Sequence, residues 1–216
     1  MRRGLVLAAA GVGAVFVSGS LLLATSGEAP QAAQAVRETP VQGDPLTPEE
    51  IARAGEIATA VNHLKGGRAE LLYVERDDDK DAEQARQAEA YIYDYASDTL
   101  IVRTVDLGRS KVIEETKGRG VQPPPSRREE LRAAELLLAD PKLGRGVRQS
   151  FRKAAGRELA SPSDLALRGL IYSPERGSCA EHRCLRLFVR LPNGTFLDTS
   201  RIVIDLSAQR VHILEW

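Results

Sequence analysis

One eight-residue pattern occurs twice in the chain, and it constrains the fold more than any other feature. Val105-Asp106-Leu107-Gly108-Arg109-Ser110-Lys111-Val112 returns as Ile204-Asp205-Leu206-Ser207-Ala208-Gln209-Arg210-Val211. In both, an aliphatic residue, Asp and Leu are followed by three polar or small residues, a cation and Val. Each copy reads as a strand, a tight turn and a second strand, and each has the same kind of helix start upstream. Self-similarity of this sort indicates two copies of one structural unit.

The helix starts are specific. In Leu46-Thr47-Pro48-Glu49-Glu50-Ile51, Thr47 is a good N-cap, Pro48 suits the first helical position and Glu50 completes a capping box. Leu46 and Ile51 are placed for a hydrophobic staple. Ile51, Ala54, Ile57, Ala58 and Val61 recur at helical spacing, and Gly66-Gly67 ends the helix. Ser126 and Glu129 repeat the capping-box spacing ahead of a face of Leu131, Ala134, Leu137 and Leu138. Asp140-Pro141 breaks that helix, and a shorter one is expected over 143–155.

Strands are expected over 70–76, 88–96, 99–107 and 111–116, then over 167–172, 185–191, 195–205 and 210–214, with Pro192-Asn193-Gly194 as a turn. The fold class is therefore α+β: two tandem cystatin-like modules, each an N-terminal helix packed on an antiparallel β-meander. The expected organisation is a signal peptide or membrane anchor over 1–35, a linker over 36–45, a first module over 46–117, a Pro-rich linker over 118–125 and a second module over 126–216. Pro123-Pro124-Pro125 stiffens the second linker.

The N-terminus carries Arg2 and Arg3, an uncharged, mostly apolar run over 4–25, and Ala33-Gln34-Ala35 as an A-x-A cleavage site. This is the layout of a secretory signal. An uncleaved tether through residues 4–25 is the alternative, since about 20 apolar residues span a bilayer. Both readings place the body outside the cytoplasm, secreted or anchored. The formal net charge is zero, so no basic field favours a nucleic-acid partner.

Cys179 and Cys184 are the only cysteines and bracket Ala180-Glu181-His182-Arg183. In an exported protein a disulfide is the expected state. The alternative is a metal site using Cys179, His182 and Cys184, whose thiolates and imidazole suit Cu(I) or Zn(II). Asp77-Asp78-Asp79-Lys80-Asp81 lacks the sixth-position Gly and terminal Glu of an EF-hand and reads as a solvated loop. Tyr91, Tyr93 and Tyr95 fall on one strand face, as core under the helix or as an exposed strip. No G-x-S-x-G nucleophile motif or phosphate loop is present.

The order and spacing of Asp44-Pro45-Leu46-Thr47-Pro48-Glu49-Glu50-Ile51, Val105-Asp106-Leu107, Gly120-Val121-Gln122-Pro123-Pro124, Glu129-Glu130 to Asp140-Pro141, and Ile204-Asp205-Leu206 resemble the two small N-terminal domains, N2 and N3, of copper amine oxidases. The resemblance covers about residues 44–216. In that family the chemistry belongs to a large C-terminal β-sandwich with a topaquinone made from Tyr in an Asn-Tyr-Asp or Asn-Tyr-Glu motif and a His-x-His copper pair. This sequence has no Asn-Tyr step, and His63, His182 and His212 show no His-x-His spacing. The resemblance therefore carries over no catalytic, cofactor or metal residue. It implies a non-catalytic binding or scaffolding protein of the cell envelope, with no cofactor and a partner among envelope or secreted proteins. The alternative is an extracytoplasmic copper-binding accessory using Cys179, His182 and Cys184.

Overall fold

The computed structural model describes residues 43–60, 68–77 and 86–215. A helix, four strands, two helices and four further strands follow in order. These are α1 (Pro48–Ala60), β1 (Ala69–Arg76), β2 (Gln87–Asp94), β3 (Thr99–Asp106), β4 (Lys111–Arg119), α2 (Arg127–Ala139), α3 (Leu143–Ala155), β5 (Ala166–Ile171), β6 (Cys184–Arg190), β7 (Ile202–Asp205) and β8 (Arg210–Ile213). The strands make two antiparallel sheets in sequence order, β1-β2-β3-β4 and β5-β6-β7-β8, so the class is α+β. Among the described residues no helix is long and apolar enough to cross a membrane. The signal or anchor over 1–35, most of the first linker, Val61, His63, Gly66-Gly67, Asp78-Asp79-Lys80-Asp81 and Trp216 lie outside the described residues.

Both capping boxes form. Thr47 Oγ1 accepts from Glu50 N at 3.2 Å, and Glu50 Oε2 accepts from Thr47 N at 2.8 Å. Ser126 and Glu129 repeat the pair at 3.2 and 2.8 Å. The buried face of α1 differs from the expected one. It consists of Ala54, Gly55 and Ala58, while Ile51 is exposed. The reason is close approach: a Cβ on Gly55 would lie 2.7 Å from Leu71 Cδ2, so small residues seat the helix on β1. Asp140 ends α2 and starts α3, its Oδ1 accepting from Lys142 N and Leu143 N at 2.9 and 2.8 Å.

The repeated Asp is a hairpin cap. Asp106 Oδ1 accepts from Arg109 N at 2.8 Å, and Asp205 Oδ1 from Ala208 N at 2.7 Å. Each Asp pairs across the hairpin with the cation that closes it, Lys111 or Arg210, and the residue before that cation is left-handed: Ser110 at φ 54°, Gln209 at φ 54°. The β2–β3 hairpin is a third instance, with Asp94 Oδ1 accepting from Ala96 N at 2.9 Å, pairing Asp94 with Thr99, and Asp98 at φ 48°. A side-chain oxygen that binds nearby backbone N–H groups stabilises such a turn.

The layers run α1, first sheet, α2, second sheet. Ala88, Ala90 and Ile92 on one face of β2 pack under α1 with Ala54 and Ala58. The tyrosines occupy the opposite face: Tyr93 and Tyr95 are buried and Tyr91 half-buried in a core shared with Ala133, Ala134 and Leu137 of α2 and Leu185, Leu187 and Val189 of β6. They are core residues under α2, not under α1. The expected long strand over 195–205 is interrupted. Phe196 makes one bridge to Arg190, and β7 begins only at Ile202. Between them Asp198 Oδ1 takes Ser200 N and Oγ at 3.2 and 2.7 Å, a local bonding pattern that competes with the ladder.

Candidate functional site

A comparison of the two halves separates framework from site. An arginine just before the second strand of each sheet makes the same set of bonds. Arg183 donates from Nε to Glu129 Oε1 at 2.7 Å, from Nη2 to Glu129 Oε2 at 2.9 Å, and from its terminal nitrogens to the carbonyls of Pro123 and Pro124 at 2.9 and 3.4 Å. Arg86 donates from Nε and Nη2 to Glu50, and to the carbonyls of Asp44 and Pro45 at 3.1 and 2.8 Å. The carbonyls lie at equivalent positions, three and two residues before the helix N-cap. Leu107 N and Leu206 N donate to the carbonyls of Arg86 and Arg183 at 3.0 and 2.9 Å. Each clamp ties helix start, preceding chain and hairpin together, so the arginines are framework.

The copies differ in burial. Arg183 and Glu129 are both 0% exposed, whereas Arg86 and Glu50 are 14% and 20% exposed. The Arg86 guanidinium beside Glu50 lowers its carboxyl pKa from 4.5 to about 2. Tyr95 Oη donates to Glu129 at 2.9 Å, and the Arg183 guanidinium lies 5.0 Å from the Tyr93 ring centre. Arg183 N donates to Asp98 Oδ1 at 3.2 Å and to Ser207 Oγ at 3.0 Å. The buried clamp thus joins the first sheet to the second.

Several groups have no counterpart in the first half and converge on Asp205. Cys179 and Cys184 form a disulfide, with Cα atoms 5.5 Å apart, closing the loop that delivers Arg183 and His182. His182 Nδ1 lies 2.8 Å from Asp205 Oδ2, and that hydrogen bond raises the imidazole pKa. His212 Nε2 lies 3.6 Å from the same oxygen; it is buried and has no hydrogen-bond partner among the described residues. Asp205 itself is fully buried. The nearest ligand-type atoms of Cys179, Asp205 and His212 lie within 4.8 Å of one another.

Of the residues singled out from the sequence, the structure brings Cys179, Cys184 and His182 to one corner, and with the disulfide closed neither sulfur is a thiolate. Asp205 and His212 are members of the same corner that sequence reasoning missed. A signal existed: if the repeated hairpin pairs Asp205 with Arg210, Val203 must pair with His212, on the same face.

The second sheet leaves one face open. Arg168, Leu170 and Tyr172 on the β5 side and Arg186, Phe188 and Arg190 on β6 share the face opposite α2. Leu170, Phe188 and Phe196 are exposed, Phe196 at 65%. The disulfide, Val203 and Tyr172 form a small cluster at one end. A separate cleft of about 470 Å3 between β1 and α2 is lined by Arg68, Glu70, Tyr95, Arg128, Arg132 and Glu135. Burial pushes the Glu70 carboxyl up, while Arg132 lies 3.5 Å away.

These features define an α+β protein of two helix-and-sheet halves, with a buried Asp205 flanked by two half-buried histidines and a sheet face that exposes Leu170 and Phe188. No protein-family model matches the chain, and no curated protein does. Among solved structures its fold is similar to that of a copper-containing benzylamine oxidase from Hansenula polymorpha, at TM-score 0.50 and 13% identity over 82% of this chain. The chain spans 30% of the length of that oxidase. At this identity the likeness concerns the fold alone.

Proposed function

We propose that the chain is a non-catalytic binding or scaffolding module, exported to the cell envelope and released or tethered through residues 4–25. Its halves, 46–117 and 126–216, are tandem cystatin-like domains of the kind found as N2 and N3 in amine oxidases. The fold likeness supports that relationship, and the disulfide suits an oxidising compartment.

One observation carries the binding role. The hairpin registers make Tyr91 of β2 equivalent to Phe188 of β6, since Gln87 pairs with Asp106 as Cys184 pairs with Asp205. In the first sheet this face shares a core with α2, with Tyr93 and Tyr95 buried and Tyr91 half-buried; in the second sheet Leu170 and Phe188 on it are exposed. Exposed Phe among arginines matches the residue types enriched at interfaces. The occupant that fits is a helix of a partner protein that brings carboxylates to the arginines and a polar partner to the aromatic rings, as α2 brings Glu129 to Tyr95 of the first sheet.

The test is photo-crosslinking from position 190 in the native host, with and without Phe188→Glu and Phe196→Glu. A discrete adduct lost in the double variant, at unchanged melting temperature, supports docking on this face. Adducts of equal yield in both proteins, or no adduct in either, refute it.

A further inference from the structure

We propose that the Asp205 corner is a zinc site gated by the Cys179–Cys184 disulfide, closed when the bond is intact and competent for metal when it is reduced. The inference is independent of the docking face.

The ligand set is one sulfur, one imidazole nitrogen and one carboxylate oxygen, from Cys179, His212 and Asp205, already within 4.8 Å of one another. A divalent zinc ion takes such a mixed set in tetrahedral geometry, with water as the fourth ligand, while Cu(I) prefers several soft sulfur donors. Two features show a corner that is incomplete in the oxidised state. His212 Nε2 is buried without a hydrogen-bond partner among the described residues, which normally costs stability. It faces the Asp205 oxygen at 3.6 Å, too far to donate. His182, bonded to Asp205 at 2.8 Å, orients the carboxylate as an outer partner orients a metal ligand.

The gating step balances simply. A dithiol protein of the envelope supplies two electrons and two protons; the Sγ–Sγ bond breaks, each sulfur takes a proton, and the dithiol leaves as a disulfide. Cys179 then loses its proton to solvent and binds zinc as thiolate, while Cys184 remains a buried thiol that does not ligate. This assignment differs from a site built on both cysteines and His182, and the difference can be measured.

The experiment compares Cys184→Ser with Cys179→Ser in the full chain, without reductant, by Zn(II) competition against a chromogenic chelator and by Co(II) absorption. Cys184→Ser is expected to bind one zinc ion, with a thiolate-to-Co(II) charge-transfer band. Its affinity should exceed that of Cys179→Ser by more than about 100-fold, because even an outer-partner change costs 10- to 100-fold. His212→Gln in the Cys184→Ser background should weaken binding at least about 10-fold. Equal affinities for the two cysteine variants, or loss of binding in both, overturn the proposal. The wild-type chain guards against a folding defect. After reduction by a phosphine, which leaves as its oxide, Zn(II) should raise its melting temperature, and should not raise that of the oxidised chain. No shift on the reduced chain, or an equal shift on both, also overturns it.

Discussion

Arg183→Ala tests the claim that one clamp, drawn twice in the same bonds, is worth different amounts in the two halves. Arg183 donates to both oxygens of Glu129, to Gln122 Oε1 at 3.1 Å, and to the carbonyls of Pro123 and Pro124. Removing it leaves a carboxylate with no exposed surface, held only by Tyr95 Oη and Ser126 N. Breaking a buried pair from one side costs about 3–5 kcal/mol, most of it the uncompensated charge. A domain of this size has about 5–15 kcal/mol in total, so the variant stands near its folding threshold. In Arg86→Ala, water reaches Glu50 and solvates the carboxylate left behind, so the expected cost is smaller than in Arg183→Ala.

Urea unfolding of both variants at pH 7, disulfide intact, reads the difference directly. Arg183→Met with Glu129→Met removes both charges and should cost less than Arg183→Ala alone, even after about 1 kcal/mol for the lost helix cap. Equal losses in Arg86→Ala and Arg183→Ala, or a double variant worse than the single one, refute the argument that burial sets the value of the clamp.

The other predictions concern titration and packing. The raised His182 pKa means that its pairing with Asp205 contributes fully below pH 6.5 and is lost as pH rises through the folded value; NMR titration should place that midpoint above 6.5, and His182→Gln should flatten stability over this range. For Glu50 the sign is opposite: its contribution is complete above pH 4.5 and disappears as pH falls to about 2, so Arg86→Ala should lose less stability on acidification than the wild type. Gly144→Ala would set a Cβ 2.2 Å from the Leu138 carbonyl oxygen and should cost more in thermal denaturation than Gly55→Ala, whose Cβ comes nearest to the movable end of Leu71, 2.7 Å away.

Local signals were legible because they act over a few residues. Capping boxes, the Asp140-Pro141 break and the hairpin turns depend on neighbours that the sequence displays. The repeat marked two hairpins, and both form, closed by the pairs Asp106–Lys111 and Asp205–Arg210. The seat of α1 was not legible, because Gly55 looks like a weak helix residue until Leu71 is known to lie against it. The tyrosine face was recognised as one face, but which helix covers it depends on how the halves stack. Arg183 was hidden for a related reason: an arginine beside a cysteine reads as solvent-facing, and only the fold shows Glu129 waiting for it. In the corner, the disulfide was expected from two cysteines in a chain read as exported, whereas His212 required the strand register.

A chain that repeats itself supplies its own control. The capped hairpin, the helix-start Glu and the arginine clamp appear in both halves, so they follow from building the unit and say nothing about a ligand. The disulfide, His182 and His212 appear once, and the bare aromatic–arginine face appears once; all sit on the same side of the second sheet. That side corresponds to the one through which the first half binds the second. On a face that meets only water, polar side chains are the usual covering. Here it carries Leu170, Phe188 and Phe196 instead. The difference between the halves therefore lies in this face, with the cysteine–histidine corner at its edge, and on it the proposed binding role rests.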